Sequence, residues 1–320
     1  MGFDRRLLHQ VANQYYELDK TQEEIAQALG ISRSQVSRAI KQARAEGIVV
    51  IRVVPPGLDF SDLRAELCER FGLRDAVVIS GEGGPSHLVT QNLGKAGAEY
   101  LAERAKPGLV VGVSWGATLR ELASALSTAR PRARDLLTVP LLGGLGQASV
   151  ELQVNDIASR IAKALGGSHL YLHAPSFVDT PEAHAAITSD SNIKRVVDMW
   201  DRLDIAVVGI GCLKPPSTLL QEGGFSDEDL GRLETAGTVG DMCMRFFDIE
   251  GKPVDTYLDG RIVGVGLDQL RKARMVVGVA GGENKTDAIL GALHTGVLDV
   301  LITDDVAARS VIRLSKQTEL

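Results

Sequence analysis

The stretch TQEEIAQALGISRSQVSRAIKQARAE, Thr21–Glu46, decides the architecture of the N-terminal part of the chain. Thr21-Gln-Glu-Glu24 and Ser32-Arg-Ser-Gln35 each place a hydroxyl side chain three residues before Glu or Gln, the capping-box pattern that opens a helix. Between them, Gly30 suits the left-handed residue that ends a helix. The stretch therefore predicts two short helices joined by a tight turn, which is a helix-turn-helix.

A further helix is predicted in front of this motif, over about Asp4–Leu18, from apolar residues at helical spacing. The second helix of such a motif lies in the major groove, where Arg pairs with guanine, Gln with adenine, and Ser or Lys with phosphates. Its outward side chains, predicted to contact double-stranded operator DNA, are Arg33, Ser34, Gln35, Ser37, Arg38 and Lys41. The alternative is a three-helix module that binds another protein.

The domain organisation follows from the next residues. Gly47 and the run Ile48–Val54 predict a β-extension that forms a small wing, and Pro55-Pro56-Gly57 then breaks the chain. We expect a DNA-binding domain at residues 1–54, a linker at 55–75 with a helix over Asp62–Phe71, and an effector domain at 76–320. Within Ile31–Val54 five basic residues face one acidic residue, whereas the whole chain carries −6. Such a patch favours nucleic-acid binding, although an ordinary solvated helix face has the same composition.

The composition excludes several other classes of protein. The chain has 320 residues, 44% of them apolar and 24% charged, which is typical of a folded protein with at least two domains. No apolar run approaches the roughly 18 residues of a membrane span, and the first residues lack the apolar core of a secretory signal. Three scattered cysteines, Cys68, Cys212 and Cys243, frame neither a disulfide scaffold nor a zinc finger. We expect a soluble, cytoplasmic protein without a membrane partner.

From residue 76 onward, short apolar runs alternate with amphipathic stretches. The runs predicted to be strands are Ala76–Ile79, Leu109–Val113, Leu136–Leu142, Leu170–Leu172, Ile205–Ile210, Met275–Ala280 and Val300–Ile302. The predicted helices are Leu88–Arg104, Leu119–Ser127, Leu152–Leu165, Lys285–Leu293 and Asp305–Ser315. Continuous apolar strands separated by helices indicate a parallel sheet covered on both faces. The fold class is therefore predicted as α/β, a doubly wound parallel sheet preceded by an all-α helix-turn-helix.

Glycine-rich and polar loops follow four of these strands, at Ser114–Thr118, Gly143–Gly146, Gly209–Gly211 and Gly281–Lys285. The carboxyl ends of parallel strands meet at one edge of the sheet, where ligands of such folds bind. Backbone N–H groups in these loops, together with the ammonium of Lys285, suit an anion or the hydroxyls of a sugar. The loops contain neither a dinucleotide fingerprint nor a Walker motif.

Several single residues leave two interpretations open. Asp241 and Arg245 lie four residues apart and form either a buried ion pair or a site at which Asp241 accepts ligand hydroxyls. Trp115 either stacks on a sugar ring or packs in the core. His169 and His173 flank a predicted strand, where this spacing does not make the helix-face pair that binds a metal ion. We expect neither a metal nor a cofactor.

The helix-turn-helix and a series of short motifs along the rest of the chain resemble, in order, the SorC family of bacterial sugar-responsive transcriptional regulators. The motifs are Gly112–Leu119, Leu141–Gly146, Asn155–Ala158, Val239–Met242, Arg245–Asp248, Gly278–Gly282 with Lys285, and Leu301–Asp304. The resemblance implies an effector domain similar to sugar-phosphate isomerases of the glucosamine-6-phosphate deaminase and ribose-5-phosphate isomerase type, used for sensing. It also implies a homo-oligomer, commonly a tetramer, whose operator affinity changes when a sugar or sugar phosphate binds.

By this resemblance, the effector contacts fall on the loop after the second predicted strand, on the Gly-Gly pair after the third, and on three later side chains. These residues are Ser114, Gly116, Ala117, Thr118, Gly143, Gly144, Gln153, Asp241 and Lys285. Some family members that sense phosphorylated sugars carry a basic residue just before the Gly-Gly pair, whereas this chain has Leu142. That departure disfavours a bisphosphate and leaves an unphosphorylated sugar, a polyol or a monophosphate.

The predicted function is that of a DNA-binding regulator of a carbohydrate or polyol catabolic operon. One alternative is a sugar-phosphate isomerase or deaminase with an appended DNA-binding arm, in which Asp241 is the candidate general base. A constitutive DNA-binding protein is the other alternative, and it leaves the pocket loops without a role.

Overall fold

Two units make up the chain, Met1–Asp59 and Phe60–Leu320, and each encloses its own apolar core. The computed structural model describes residues 3–16, 18, 20–49, 59–81, 86–127, 135–146, 149–215, 226–254, 256, 258 and 260–317. Across these residues, no helix is both long and apolar enough to cross a membrane.

The first unit consists of α1 (Arg5–Tyr16), α2 (Gln22–Leu29) and α3 (Arg33–Ala45). Both predicted capping boxes are present, because the hydroxyls of Thr21 and Ser32 each accept the backbone N–H three residues on, at 3.3 and 3.2 Å. Each of these hydrogen bonds satisfies a donor at a helix start that has no partner within the helix.

A left-handed glycine joins the two helices of the motif. Gly30 follows α2 with φ +63°, as its sequence position predicted, and α3 starts three residues later. The apolar faces of the three helices meet in one core, whose fully buried members include Leu8, Val11, Ile25, Val36, Ala39 and Ala43. The predicted helix-turn-helix is confirmed. Most of the predicted wing at Ile48–Val54 lies outside the described residues, since Val49 is the last one before the gap.

The centre of the second unit, in the described part of the chain, is a parallel sheet of seven strands. They are β1 (Asp75–Ile79), β2 (Val110–Val113), β3 (Leu137–Pro140), β4 (Ser168–His169), β5 (Ile205–Gly209), β9 (Met275–Val279) and β10 (Val300–Asp304). Their order across the sheet is β1-β10-β9-β5-β2-β3-β4, and every neighbouring pair is parallel. The predicted doubly wound α/β architecture is confirmed.

Helices cover both faces of this sheet. One face packs against α5 (Ser86–Arg104), α6 (Ala117–Leu126) and α7 (Val154–Leu165). The other packs against α4 (Ser61–Phe71), α9 (Ser191–Val197), α12 (Thr286–His294) and α13 (Asp305–Gln317). Because α4 packs on the sheet, residues 60–75 of the predicted linker at 55–75 belong to the second unit.

A small antiparallel sheet and several short helices had no predicted counterpart. The sheet contains β6 (Gly211–Cys212), β7 (Gly240–Met242) and β8 (Arg245–Phe247). The helices are α8 (Pro181–Ser189), α10 (Asp227–Thr235) and α11 (Leu267–Leu270), with 3-10 turns at Val150–Leu152, Asp198–Arg202 and Glu283–Lys285. Strands of two or three residues and a helix of one turn show too few periods for a hydrophobic pattern to identify them.

The prediction of a strand at Leu170–Leu172 is wrong. The strand pairs with β3 only at Ser168–His169, and the Leu170 N–H makes the last ladder bond, to the carbonyl of Thr138. The next bond would need an N–H from Pro140, which has none. Beyond that point the Asn155 side chain binds both backbone groups of Leu172, at 3.0 and 3.1 Å, in place of a strand.

Replacing Ser32 with alanine removes the cap of α3, and we expect it to lower the free energy of unfolding of the first unit by about 1 kcal/mol. Ser37→Ala is the matched control on the same helix, since an interior serine contributes no cap and alanine favours the helix. The stability of the first unit in both variants is measured by urea unfolding of the full chain, with amide exchange in residues 20–49 as the readout. Equal stability of the two variants would contradict the role of the cap.

Candidate functional site

A cavity of about 400 Å³ lies at the carboxyl edge of the sheet, where the connections between strands reverse direction. From β2 the chain proceeds to β3 and β4 on one side, and from β5 it proceeds to β9 and β10 on the other. Ligands of open α/β sheets bind at such a switch point, and this volume suits a small molecule. The polar lining includes Ser86, His87, Thr90, Ser114, Thr118, Asp241, Asn284 and Lys285.

The loop after β2 forms one wall of the cavity. The Ser114 hydroxyl accepts the N–H of Gly209 at 3.0 Å, which ties this loop to the one after β5. Gly116 precedes α6 with φ +125°, a conformation that favours glycine. In the described part of the chain no side chain caps the start of α6, and Ala117 and Thr118 from its first turn line the cavity. Uncapped N–H groups at a helix start suit an anion or a hydroxyl oxygen.

Asp241 of β7 supplies the carboxylate of the cavity and is only 4% exposed. One oxygen accepts the N–H of Met244 at 2.8 Å across the β7–β8 turn. The other lies against Gly211, where a Cβ atom would come within 1.9 Å of it. Burial raises the pKa of Asp241 to about 6, although the Met244 N–H and the charge of Lys285 act in the opposite direction.

Lys285 supplies the cationic group and is half-buried at the end of the Gly281–Lys285 loop. Its ammonium donates to the carbonyl oxygen of Ile210 at 2.7 Å. Burial lowers the pKa of Lys285, while Cys212 and Asp241 favour its charged form. Among the described residues, the cavity lining contains one carboxylate and one ammonium, a combination that suits hydroxyls with or without one anionic group.

Arg245 is engaged elsewhere, which bears on the two interpretations of Asp241. Its guanidinium donates to the carbonyl oxygens of Gly264 at 2.7 Å and Val265 at 3.1 Å. Asp241 lines the cavity, and its contact with ligand hydroxyls stays a prediction.

The effector residues expected from the sequence divide into two groups. Six line the cavity: Ser114, Gly116, Ala117, Thr118, Asp241 and Lys285. Gly143, Gly144 and Gln153 do not, because the N–H groups of the two glycines bind the carbonyls of Val263 and Ala174 at 2.8 Å each. Both ends of the Gln153 amide bind Leu145, at 2.7 and 3.1 Å. Effector contact by these three residues stays a prediction, and the bonds described assign them to holding the loop.

Sequence reasoning missed the wall contributed by the first turn of α5. Ser86, His87 and Thr90 line the cavity there, and Asn284 does so beside Lys285. A signal was present, since the stretch between β1 and α5 reads Ser-Gly-Glu-Gly-Gly-Pro and resembles the other glycine-rich loops.

Two other expectations concern aromatic and histidine side chains. Trp115 is 8% exposed, packs with Leu142 and Met244, and also lines the cavity, so packing and ligand contact are both available to it. The Tyr171 ring stacks on His173 and meets His169 edge-on. Searching the described residues finds no group of three or more His, Cys, Asp or Glu placed to hold a metal ion.

On the first unit, the residues predicted to contact DNA lie along one helix. Arg33, Ser34, Arg38 and Lys41 are exposed, whereas Gln35 and Ser37 are half-buried. The carbonyl oxygen of the Gln35 side chain accepts the N–H of Ser32 at 2.8 Å, so its amide nitrogen is the group that remains to read a base. Contact of the six residues with DNA stays a prediction.

Comparison with known proteins finds a matching family model for each part of the chain. The family model described as "Putative sugar-binding domain" matches residues 57–313, and the Crp-like helix-turn-helix domain matches residues 5–64. The sorbitol operon regulator of Klebsiella pneumoniae is 33% identical, over 97% of this chain and 98% of that protein. The deoxyribonucleoside regulator of Bacillus subtilis is 32% identical, over 96% of this chain and 97% of that protein.

A solved structure agrees over the whole chain as well. The crystal structure of the full-length sorbitol operon regulator from Klebsiella pneumoniae matches with a TM-score of 0.76, covering 98% of this chain and 100% of that one. A helix-turn-helix joined to a sugar-binding domain defines a transcriptional regulator that carries its own sensor. The chain belongs to the SorC family of bacterial sugar-responsive transcriptional regulators.

The raised pKa of Asp241 predicts a pH dependence of stability. Between about pH 4 and 6 the folded state binds more protons than the unfolded state, so the free energy of unfolding falls as pH rises, by on the order of 3 kcal/mol for two pKa units. Asp241→Asn removes this dependence, and we expect the variant to gain stability over the parent as pH rises from 4 to 7.

Asp268→Asn is the matched control, since the Asp268 side chain is 92% exposed. Urea unfolding at several pH values gives the free energy of unfolding of the parent, Asp241→Asn and Asp268→Asn. If the free energy of unfolding changed with pH in the same way in the parent and in Asp241→Asn, the raised pKa of Asp241 would be contradicted.

Proposed function

We propose that the chain regulates a carbohydrate or polyol catabolic operon, and that a small polyhydroxylated effector in the cavity sets its operator affinity. The observation that carries the proposal is the polar cavity at the switch point, with Asp241 and Lys285 in its lining, on a chain that also carries a helix-turn-helix. We place this activity in the cytoplasm, where a bacterial operator lies.

The class of effector follows from the groups that line the cavity. A carboxylate accepts two hydroxyls of a sugar or polyol, while Lys285 and the uncapped start of α6 provide for one anionic group. Leu142, at the position expected to be basic in sensors of phosphorylated sugars, is fully buried against Trp115. A neutral sugar, a polyol or a monophosphate therefore fits better than a bisphosphate. The relatives named for sorbitol and deoxyribonucleosides agree with this class.

The effector acts by changing the balance between two conformations of the regulator. A ligand shifts this balance only as far as its affinities for the two conformations differ. A coupling of about 1–3 kcal/mol changes operator affinity about 5–150-fold, which is sufficient for a switch. We propose that the regulator is a homo-oligomer, a tetramer by family resemblance, so that its helix-turn-helix units read repeated half-sites and the effector biases their placement.

An enzymatic role is the competing proposal. Asp241, with a pKa of about 6, has the acidity of a general base, but the relatives are named as regulators and the helix-turn-helix would have no purpose in an isomerase. We therefore assign the cavity to sensing. Turnover of ribose 5-phosphate or glucosamine 6-phosphate by the purified protein would reverse this assignment.

The first test is fluorescence anisotropy of the protein on its own upstream DNA, titrated with pentoses, hexoses, polyols and their monophosphates. We expect one compound to shift the dissociation constant at least severalfold. Specific DNA binding that no compound alters would leave the sensor role unsupported, and a lack of specific binding at moderate salt would contradict the regulator role.

Arg38→Ala should weaken operator binding by about 1–3 kcal/mol, because an exposed arginine on the recognition helix pairs with a base edge or a phosphate. The control is Arg232→Ala in the second unit, where an exposed arginine pairs with Glu228 one helical turn away. Anisotropy at two salt concentrations separates a base contact from a phosphate contact. An unchanged dissociation constant in Arg38→Ala would contradict the assigned role.

Lys285→Ala should retain operator binding and lose at least tenfold in effector sensitivity, since the cavity loses its ammonium. Lys214→Ala is the matched control, because this nearby lysine is 64% exposed, pairs with Asp287 and does not line the cavity. The effector sensitivity of Lys285→Ala and Lys214→Ala is measured from operator binding at increasing effector concentrations. A normal curve for Lys285→Ala would show that the effector binds elsewhere.

A further inference from the structure

A buried carboxylate lies directly behind the cavity wall that carries Lys285. Asp304 ends β10, is 1% exposed and is absent from the residues that line the cavity. One of its oxygens accepts the N–H of Gly282 at 2.5 Å, and the other accepts the N–H of Ala307 at 3.0 Å. The two oxygens thus join the loop after β9 to the first turn of α13.

Two glycines pack closely against this carboxylate. A Cβ atom on Gly281 would lie 2.1 Å from one oxygen of Asp304, and a Cβ atom on Gly81 would lie 2.6 Å from the other. The loops after β9 and β1 therefore hold the carboxylate between two glycines. Gly282 has φ +95° and starts the 3-10 turn that ends at Lys285, whose N–H binds the Gly282 carbonyl at 3.0 Å.

The neighbouring aspartate makes a different set of contacts. Asp305 is 3% exposed and accepts the N–H of Gly81 at 2.8 Å through one oxygen. Its other oxygen faces Arg309 at 3.8 Å, and the Arg309 side chain is 62% exposed. An asparagine at this position keeps the acceptor for Gly81, whereas an asparagine at Asp304 offers one acceptor to two N–H groups and turns its own N–H₂ toward one of them.

We propose that Asp304 is the positioning residue of the effector cavity, which fixes the Gly281–Lys285 loop to α13 and thereby sets the place of the Lys285 ammonium. It does so without contact with the cavity itself. The effector-dependent consequence rests on the proposed function, whereas the placement of Lys285 does not.

The test compares Asp304→Asn with Asp305→Asn, which is the same isosteric change at the adjacent buried residue. Acetic anhydride labels lysine amines, and mass spectrometry gives the labelling rate of Lys285 relative to the exposed Lys163 of the same molecule. We expect Lys285 to be labelled at least about fivefold faster in Asp304→Asn than in the parent, and at the parent's rate in Asp305→Asn. Equal rates in all three proteins would overturn the proposal.

A second measurement separates positioning from general loosening. Amide exchange should accelerate in residues 281–286 of Asp304→Asn and stay unchanged in β2 and β5, and acceleration throughout the sheet would overturn the proposal. If Asp304→Asn does not fold, Gly281→Ala provides the same test, because its methyl group displaces the carboxylate while leaving its charge. The compound found in the DNA titration should act at a concentration at least fivefold higher on Asp304→Asn than on Asp305→Asn. Should no compound act, the proposed function fails, while the labelling rates still decide the role of Asp304.

Discussion

The reversal of strand connections between β2 and β5 is the constraint on which the rest of the second unit depends. These two strands pair in parallel from Val111–Ile205 to Val113–Val207, yet the chain leaves them in opposite directions across the sheet. Their following loops therefore separate and leave a crevice that no crossover helix fills. Most of the polar groups that line the cavity stand on loops or helix starts, while Asp241 stands on β7 of the small antiparallel sheet.

Backbone groups, rather than opposite charges, hold the charged side chains of the crevice. Asp241 accepts the N–H of Met244, and Lys285 donates to the carbonyl of Ile210. Behind the cavity wall, Asp304 likewise accepts two backbone N–H groups. A carboxylate and an ammonium that are each bound to the backbone stay in place without neutralising one another. They remain available to a ligand in an environment where burial has already removed part of their hydration.

Those parts of the fold were predictable whose structure depends on residues close together in the sequence. Both capping boxes and the left-handed Gly30 depend on contacts within four residues, and the sequence pattern identified them with the correct bounds. The long apolar strands were equally visible. The prediction of a strand at Leu170–Leu172 failed because Pro140, in the neighbouring strand β3, ends the hydrogen-bond ladder. Pro140 lies about 30 residues earlier in the chain, so the pattern within Leu170–Leu172 does not contain this information.

The site was predictable only as far as the loops that carry it. Ser114, Asp241 and Lys285 were found from loops and motifs, and they meet in one cavity. Gly143 and Gly144 belong to a loop of the same composition, but its N–H groups bind Val263 and Ala174, residues far along the chain. Whether a glycine-rich loop offers its amides to a ligand or to its own protein depends on such distant partners, which a sequence pattern does not contain.

The proposed contact of an effector with Asp241 links effector binding to the protonation of this carboxylate. Burial disfavours the carboxylate and raises the pKa of Asp241 to about 6. A ligand hydroxyl that donates to this carboxylate stabilises the charged form, so it opposes the effect of burial and lowers the pKa. Binding and proton release are therefore linked, and the proposed effector gains affinity as pH rises through that region. A ligand group that can only accept hydrogen bonds would lose affinity as pH rises, because it requires the protonated acid of Asp241 as a donor.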